Sequence, residues 1–177
     1  MRTRTSLGIL AAVALAGAAV PAAAQSFSGE AFGGYQNLRL SLDNTGNATS
    51  GNNQGTGIVG GDVLLAFGPI GAGLLVDKTV SGSLQPWAGA ILAGFLFPVS
   101  VVRIEVLGEL GRRGLDFTDI FRLEGRTFVG FRPGVTVRIP ATPLFVGASG
   151  LVRWDTTNGD FGKPDYGVVG RLGLGLF

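Results

Sequence analysis

The amino-acid sequence predicts an all-β fold, in which eight antiparallel strands run up and down and close into a barrel. Three features predict it. Apolar residues alternate with small or polar ones in successive stretches, the period-2 pattern of strands. The connections between stretches alternate between long polar segments and short proline-containing turns. Charges within the stretches, away from the long polar segments, keep to one parity and leave the other apolar.

In chain order, each strand takes its more apolar parity as outward. Strand one, roughly 27–40, points Phe27, Ala31 and Tyr35 out and leads into the polar segment 41–55. Strand two, 56–67, points out Val59, Val63, Leu65 and Phe67 before the Gly68-Pro69 turn. Strand three, 70–78, gives Ala72, Leu74 and Val76 and meets the polar segment 77–85. Strand four, 85–97, gives Trp87, Ile91, Phe95 and Phe97 before a turn at Pro98. Strand five, 99–110, gives Val102, Ile104, Val106 and Leu110, then the segment 111–124. Strand six, 124–138, gives Val129, Phe131, Val135 and Val137, then the Pro140-Ala141-Thr142-Pro143 turn. Strand seven, 144–155, gives Leu144, Val146, Val152 and Trp154, then the segment 155–165. Strand eight, 165–177, gives Tyr166, Val168, Leu172, Leu174 and Leu176. Long connections at one end and tight turns at the other are the layout of an outer-membrane barrel. The even strand number puts both ends of the barrel chain on the short-turn side.

The charges test which solvent wets each face. Glu30, Asp62, Arg103, Glu105, Glu109, Arg126, Arg132, Arg138, Arg153 and Arg171 all fall on the inward parity. The other charges after residue 24 lie in or beside the long polar segments, and none lies in a short turn. A cation facing lipid at mid-depth costs ~2–4 kcal/mol, so a bilayer around the wall demands this sorting. Both tyrosines and both tryptophans (Tyr35, Trp87, Trp154, Tyr166) fall at the long-loop ends on the outward parity. Phe27, Phe67 and Phe97 fall at the short-turn ends, also outward. Two such aromatic girdles sit where interfacial side chains prefer to be, and they make the expected fold a transmembrane β-barrel. Strands three and four are weaker witnesses, because Gly73, Leu75, Ala88, Ala90, Leu92 and Leu96 make their inward faces small or apolar as well.

Residues 1–24 read as a secretory signal peptide. Arg2 and Arg4 form the positive start, Leu7 to Val20 the apolar run, and Ala22-Ala23-Ala24 the cleavage site. An uncleaved N-terminal anchor is the other reading, but the apolar run is shorter than the ~20 residues of a spanning helix. The organisation expected is a signal over 1–24 and a single barrel domain over 25–177. Arg2 and Arg4 account for the whole formal charge of +2. What remains is neutral and carries no electrostatic footprint for nucleic acid.

Composition excludes much chemistry. With no cysteine and no histidine, there is no disulfide framework, thiolate nucleophile, Cys/His zinc site or histidine base. Gly55-Thr56-Gly57-Ile58-Val59-Gly60 matches G-x-G-x-x-G, and Asp77 lies at a suitable distance. A polar segment precedes the match, however, and Pro69 interrupts the residues after it, where a helix would be needed. With 31 glycines such matches arise by chance. Asp155, Asn158, Asp160 and Asp165 could gather oxygens for calcium, but their spacing misses the EF-hand loop and a solvated turn is the plainer reading. Asp116 and Asp119, and the acceptor sequence Asn47-Ala48-Thr49, read as loop.

Two other architectures compete. Thr79 to Val102 is uncharged and long enough for a spanning helix, though Gly82, Pro86, Gly89, Gly94 and Pro98 interrupt it. A soluble sandwich or lipocalin-like barrel would carry its charges outside instead. Arginines on one face, tryptophan and tyrosine at strand ends, and only Lys78 and Lys163 as lysines favour the membrane. Three residues fit the barrel poorly. Pro133 sits mid-strand beside Gly134 and predicts a bulge or a break, Phe145 falls on the inward parity, and Phe177 is on the opposite parity to Leu172, Leu174 and Leu176.

The signal ending in Ala22-Ala23-Ala24, the eight-segment rhythm and the final strand Tyr166 to Phe177 carry a resemblance. The chain resembles the small eight-stranded outer-membrane proteins of Gram-negative bacteria, the OmpA/OmpX-like barrel group. That resemblance implies a location in the cell outer membrane, with outer-membrane lipid as surroundings. It also implies a C-terminal strand read by the barrel-insertion machinery. The outer-membrane barrel enzymes, lipases, acyltransferases and proteases, depend on a histidine this chain lacks, so no enzymatic activity and no cofactor or metal are expected. Arg103, Glu105, Arg126, Arg132, Arg153 and Arg171, with Glu30, Asp62 and Glu109, form a candidate lumen charge network, and Arg171 can meet Glu30 across the closure. An eight-stranded barrel has room inside only for side chains. The expected function is a structural or surface-interaction role, with an extracellular partner possible at the long loops. A small, porin-like channel or a carrier for ions or apolar ligands is the alternative.

Overall fold

Two non-glycine residues in the left-handed region mark how sharply the chain reverses at its tight turns. Ser100 has φ 58° and Ala141 has φ 62°, while Gly68 supplies φ 61° at the first turn. In the computed structural model, residues 25–42, 48–82, 84–115, 117, 126–156, 161 and 163–176 are described. The expected signal peptide, the loop carboxylates Asp116 and Asp119, Asn47, Asn158, Asp160 and Phe177 lie outside them. The strands are β1 Gln25–Leu42, β2 Ala48–Phe67, β3 Ile70–Thr79, β4 Trp87–Val99, β5 Val102–Gly114, β6 Arg126–Arg138, β7 Leu144–Asp155 and β8 Asp165–Leu176.

Each strand pairs antiparallel with the next, and β8 pairs with β1 to close the barrel. Ladder partners can be followed once round the wall from Phe27. They run through Leu65, Ala72, Ala93, Gly108, Phe131, Val152 and Tyr166 and return to β1 at Asn37, ten residues along. That stagger forces the strands to tilt, typically by ~35–45° in closed barrels. Closure also leaves no free edge along the body of the wall.

The structure corrects several boundaries read from sequence. Most of the polar segment 41–55 is strand: β1 continues to Leu42 and β2 starts at Ala48, with a register shift between Leu38 and Leu40. Polarity does not end a strand that has a partner to pair with, and this hairpin extends beyond the ladders of its neighbours. Likewise β3 runs through Asp77 to Thr79 and β5 through Arg113 to Gly114. The β4–β5 turn is Ser100–Val101 rather than Pro98, which stays in the strand opposite Arg103. Pro133 produces no bulge. The β6–β7 pairing stops after Phe131↔Val152 and resumes in the same register at Gly134↔Ser149. The proline's missing N–H removes ladder bonds without displacing the strand. The run 79–102 forms no helix but β4 and its flanks, and no helix among the described residues is long and apolar enough to cross a membrane.

Alternation sorts the side chains. Leu64, Leu75, Leu92, Leu96 and Leu107 are buried in the lumen, whereas Ile91, Phe95, Leu110, Val168 and Leu172 stand exposed on the outer wall. The soluble-barrel arrangement would be the inverse. The lumen is itself divided, with mostly aliphatic side chains on β2–β4, where Asp62 and Asp77 are the buried charges, and the other buried charges on β5–β8 and β1. The wall coils tightly enough at Gly94 that a Cβ there would strike the carbonyl oxygen of Val106 on β5. At Gly108, on the outward parity, a Cβ would lie 3.5 Å from the nearest atom. Gly94→Ala is therefore expected to destabilise the folded barrel by ~1–3 kcal/mol, the range of overpacking changes. Gly108→Ala is expected to change it by ~0.5 kcal/mol or less. Urea unfolding followed by gel mobility checks the pair.

Candidate functional site: the charged lumen and the apolar wall

A closed eight-strand order sets β1 opposite β5, β2 opposite β6 and β3 opposite β7. The buried charges use those diameters. From β8, Arg171 holds Glu30 of β1 with two 2.6 Å bonds, Nε to Oε1 and Nη2 to Oε2. Its Nη1 donates to Glu105 Oε2 on β5 at 2.7 Å and to Ser149 Oγ on β7 at 2.8 Å. From β6, Arg132 donates through Nη2 to Asp62 Oδ2 on β2 at 2.7 Å and to Glu30 Oε1 at 3.3 Å. Arg103 closes the line, its Nε 2.8 Å from Glu105 Oε1, an oxygen that also accepts from Thr136 Oγ1. The result is an alternating chain, Asp62–Arg132–Glu30–Arg171–Glu105–Arg103, with three cations and three anions. It reaches across the lumen from β2 to β6 and from β1 to β5.

A second group lies nearer the long loops. Arg153 on β7 lies between Glu109 on β5, at 2.6 Å, and Asp77 on β3, at 2.7 Å. Above it Arg113 pairs with Asp165 at 2.6 Å, and Asp165 Oδ1 accepts the Arg39 backbone N–H at 2.8 Å. Arg126 pairs with Asp155 in a partly buried contact. Arginine is suited to this task because its planar fork presents five donors and reaches two carboxylates at once.

Phenylalanine rings cover the guanidinium faces. Phe32 lies under Arg132, Phe145 under Arg103, and Phe128 is shared by Arg113 and Arg153 at 5.5 and 4.9 Å. These contacts give partial compensation for donors such as Arg132 Nε and Nη1 and Arg153 Nη1, which are buried without a hydrogen-bond acceptor. They also explain the inward Phe145, which is 1% exposed and packs against Gly173 near the short-turn end.

Of the charges assigned to the lumen from sequence, Glu30, Asp62, Glu105, Glu109, Arg132, Arg153 and Arg171 are buried there, and Arg103 and Arg126 are partly buried. Arg138 departs from the inward set. It lies at the short-turn rim and is exposed, because β6 ends there. Asp77, Arg113 and Asp165 are buried network members that the sequence pattern leaves out of the lumen set, Arg113 beyond strand five and the other two where a strand end overlaps a polar segment. Their parity is the available signal, since Asp77 follows Leu75, Arg113 follows Glu109 and Asp165 precedes Val169 and Arg171 at even spacing. On the outer wall Tyr35, Tyr166, Phe27, Phe67 and Phe97 are exposed and Trp87 and Trp154 are half-buried. Asn37 Nδ2 donates to the Tyr166 hydroxyl at 2.9 Å, joining the girdle across the β1–β8 closure. The segment 55–60 of the G-x-G-x-x-G match is β2 itself, with no helix after it. Asp165, considered for calcium, is instead ion-paired with Arg113.

No protein-family model matches the chain, and no curated protein matches it. Among solved structures it is similar to the crystal structure of Neisserial surface protein A, with TM-score 0.58 and 8% identity over 85% of this chain and 98% of that one. That likeness is one of fold, a closed eight-stranded barrel.

The network makes lumen and outer-wall arginines behave differently on substitution. Arg171→Leu leaves Glu30 and Glu105 without their main partner and is expected to cost ~3–5 kcal/mol, as breaking a buried pair does. Arg112→Leu, on the outward parity, is expected to cost ~0.5 kcal/mol or less. Denaturant midpoints of the two variants check the difference.

Proposed function

We propose that this chain is an integral outer-membrane protein with a sealed lumen, whose wall anchors it and whose long-loop end supplies a surface-interaction role. The observation that carries this is the outer wall. An apolar band of side chains such as Val63, Leu74, Ile91, Ile104, Val135 and Leu172 runs between the tyrosine/tryptophan and phenylalanine girdles. Each carboxylate among the described residues lies on the inward parity. Water around that wall would leave an apolar surface far larger than the few hundred Å² a soluble monomer exposes, whereas lipid accounts for it.

Cross-lumen pairing and the packed side chains of Leu75, Leu92, Leu96 and Leu107 support a sealed core. Residues 1–24 supply the export signal, and the C-terminal strand is the part offered to the barrel-insertion machinery. The β1–β2 hairpin, extending past the neighbouring ladders, is the element best placed to meet an extracellular partner. In this reading the protein acts by presenting a surface rather than by catalysis.

Cell fractionation with a heat-modifiability gel tests location and barrel together. The protein is expected in the outer-membrane fraction, with faster migration unboiled than boiled. Purified protein in planar bilayers is expected to give no steady unitary currents. Spin labels at Val135 and Leu172 are expected to contact acyl chains, and their accessibility to aqueous reagents would overturn the membrane reading.

A further inference from the structure

Charge on the outer wall is confined to one level and, on β3 and β5, to one sign. The acids Glu30, Asp62, Asp77, Glu105, Glu109, Asp155 and Asp165 all sit on inward parity, while Lys78 of β3 and Arg112 of β5 sit on the outward one, both at the long-loop end. Trp87 of β4 stands between them. The β3–β4 ladder sets Lys78 directly opposite Trp87, with its Nζ 4.9 Å from the ring centroid. The β4–β5 ladder sets Trp87 opposite Gly114 and Gly89 opposite Arg112, so Arg112 is the diagonal neighbour of the indole, with glycines at the two intervening corners. Phe117 meets the indole edge-on at 5.1 Å. Beside Lys78 and Trp87 the wall is depressed over about 450 Å³, with Val59, Gly60, Gly61 and Val76 among its lining.

Such an arrangement has a polar top and an apolar trough. An ammonium and a guanidinium provide phosphate donors, the guanidinium in bidentate geometry. The indole is the side chain that sits at the level of headgroups. The trough next to it, where the outward position between Val59 and Val63 is Gly61, suits a hydrocarbon chain. We propose that Lys78, Trp87 and Arg112 bind the anionic phosphate headgroup of a lipid in the leaflet at the long-loop end, with an acyl chain lying along the Val59–Val76 depression. This rests on the membrane reading above and goes further by naming the lipid chemistry and the site. A cation near an anionic lipid surface strengthens association about fivefold, so the two together give about twenty-fivefold.

The chain has two tryptophans, so Trp154→Phe leaves Trp87 as sole reporter and Trp87→Phe leaves Trp154, on a distant part of the wall. Each folded protein is held in neutral detergent micelles doped with phosphatidic acid or phosphatidylcholine carrying brominated acyl chains, which quench nearby indoles. Phosphatidic acid is expected to quench Trp87 at about twenty-fivefold lower mole fraction than phosphatidylcholine. Lys78→Gln with Arg112→Gln is expected to abolish that preference, and Trp154 is expected to show none. Equal quenching of Trp87 by both lipids, an undiminished preference in the double variant, or the same preference at Trp154 would overturn the site. Displacement of phosphatidic acid by inorganic phosphate at matching concentration would make it a soluble-anion site and overturn the lipid assignment. Heat modifiability and detergent dependence are read on the same samples. A detergent-requiring, heat-modifiable protein without lipid preference refutes this site alone, whereas a protein soluble without detergent refutes the membrane reading.

Discussion

An ionised side chain inside a closed, tightly filled sheet has little bulk water to face, so it must be held by opposite charge from elsewhere on the wall. That requirement governs the lumen. Moving an ion from water to a medium of low dielectric costs several kcal/mol even after relaxation. In a barrel this narrow the partner comes from the facing strand as readily as from the adjacent one. Arg132 reaches Asp62 from β6 to β2, and Arg153 reaches Asp77 from β7 to β3. Arg171 draws together β1, β5, β7 and β8 through Glu30, Glu105 and Ser149. Ladder bonds join neighbours only, so the cross-lumen pairs are the polar interactions that fix the barrel's cross-section.

The division of the lumen follows from the same constraint. Most of the buried charges lie on β5–β8 and β1 and reach Asp62 of β2 and Asp77 of β3 across the lumen, and aliphatic side chains fill the remainder. Leu92, Leu107 and Ile58 are essentially inaccessible. An aliphatic lining cannot satisfy a guanidinium, and a fully charged lining would leave ions unpaired. The phenylalanines sit between the two regimes. Phe128 lies against both Arg113 and Arg153, and Phe32 against Arg132, so each ring presents an apolar edge to packing and a π-face to a cation.

Much of the barrel is legible in the sequence because its wall has a strict period of two, so that parity alone sets the side of each residue. Residues such as Glu105, Arg132 and Arg171 can be assigned a side without knowing any neighbour. Depth along the strand is what the pattern conceals. Asp77, Arg113 and Asp165 look like loop residues because polar residues surround them in sequence. Only the ladder shows that β3, β5 and β8 still have partners at those levels. The same blindness hides the length of the β1–β2 hairpin, whose Ser41–Leu42 and Ala48–Ser50 pairing is polar yet continuous. Pro133, which predicts a bulge or a break, gives the break: its ladder with β7 is interrupted, but the unbroken pairing with β5 keeps the strand in register.

The two kinds of cation are separated by the geometry each can use. Inside, every described ion pair is made by an arginine, and Arg132, Arg153 and Arg171 each engage two carboxylates at once. A lysine ammonium on a flexible stem would be a single point charge there and would lose more conformational freedom for each bond. Outside, Lys78 has its stem along apolar wall and its ammonium over the Trp87 ring at the girdle level. A long flexible stem is an advantage in that position, because it lets the charged head reach the rim from an apolar wall. The lumen therefore selects for rigid bidentate cations and the rim for one that reaches, and both preferences trace to where water is absent.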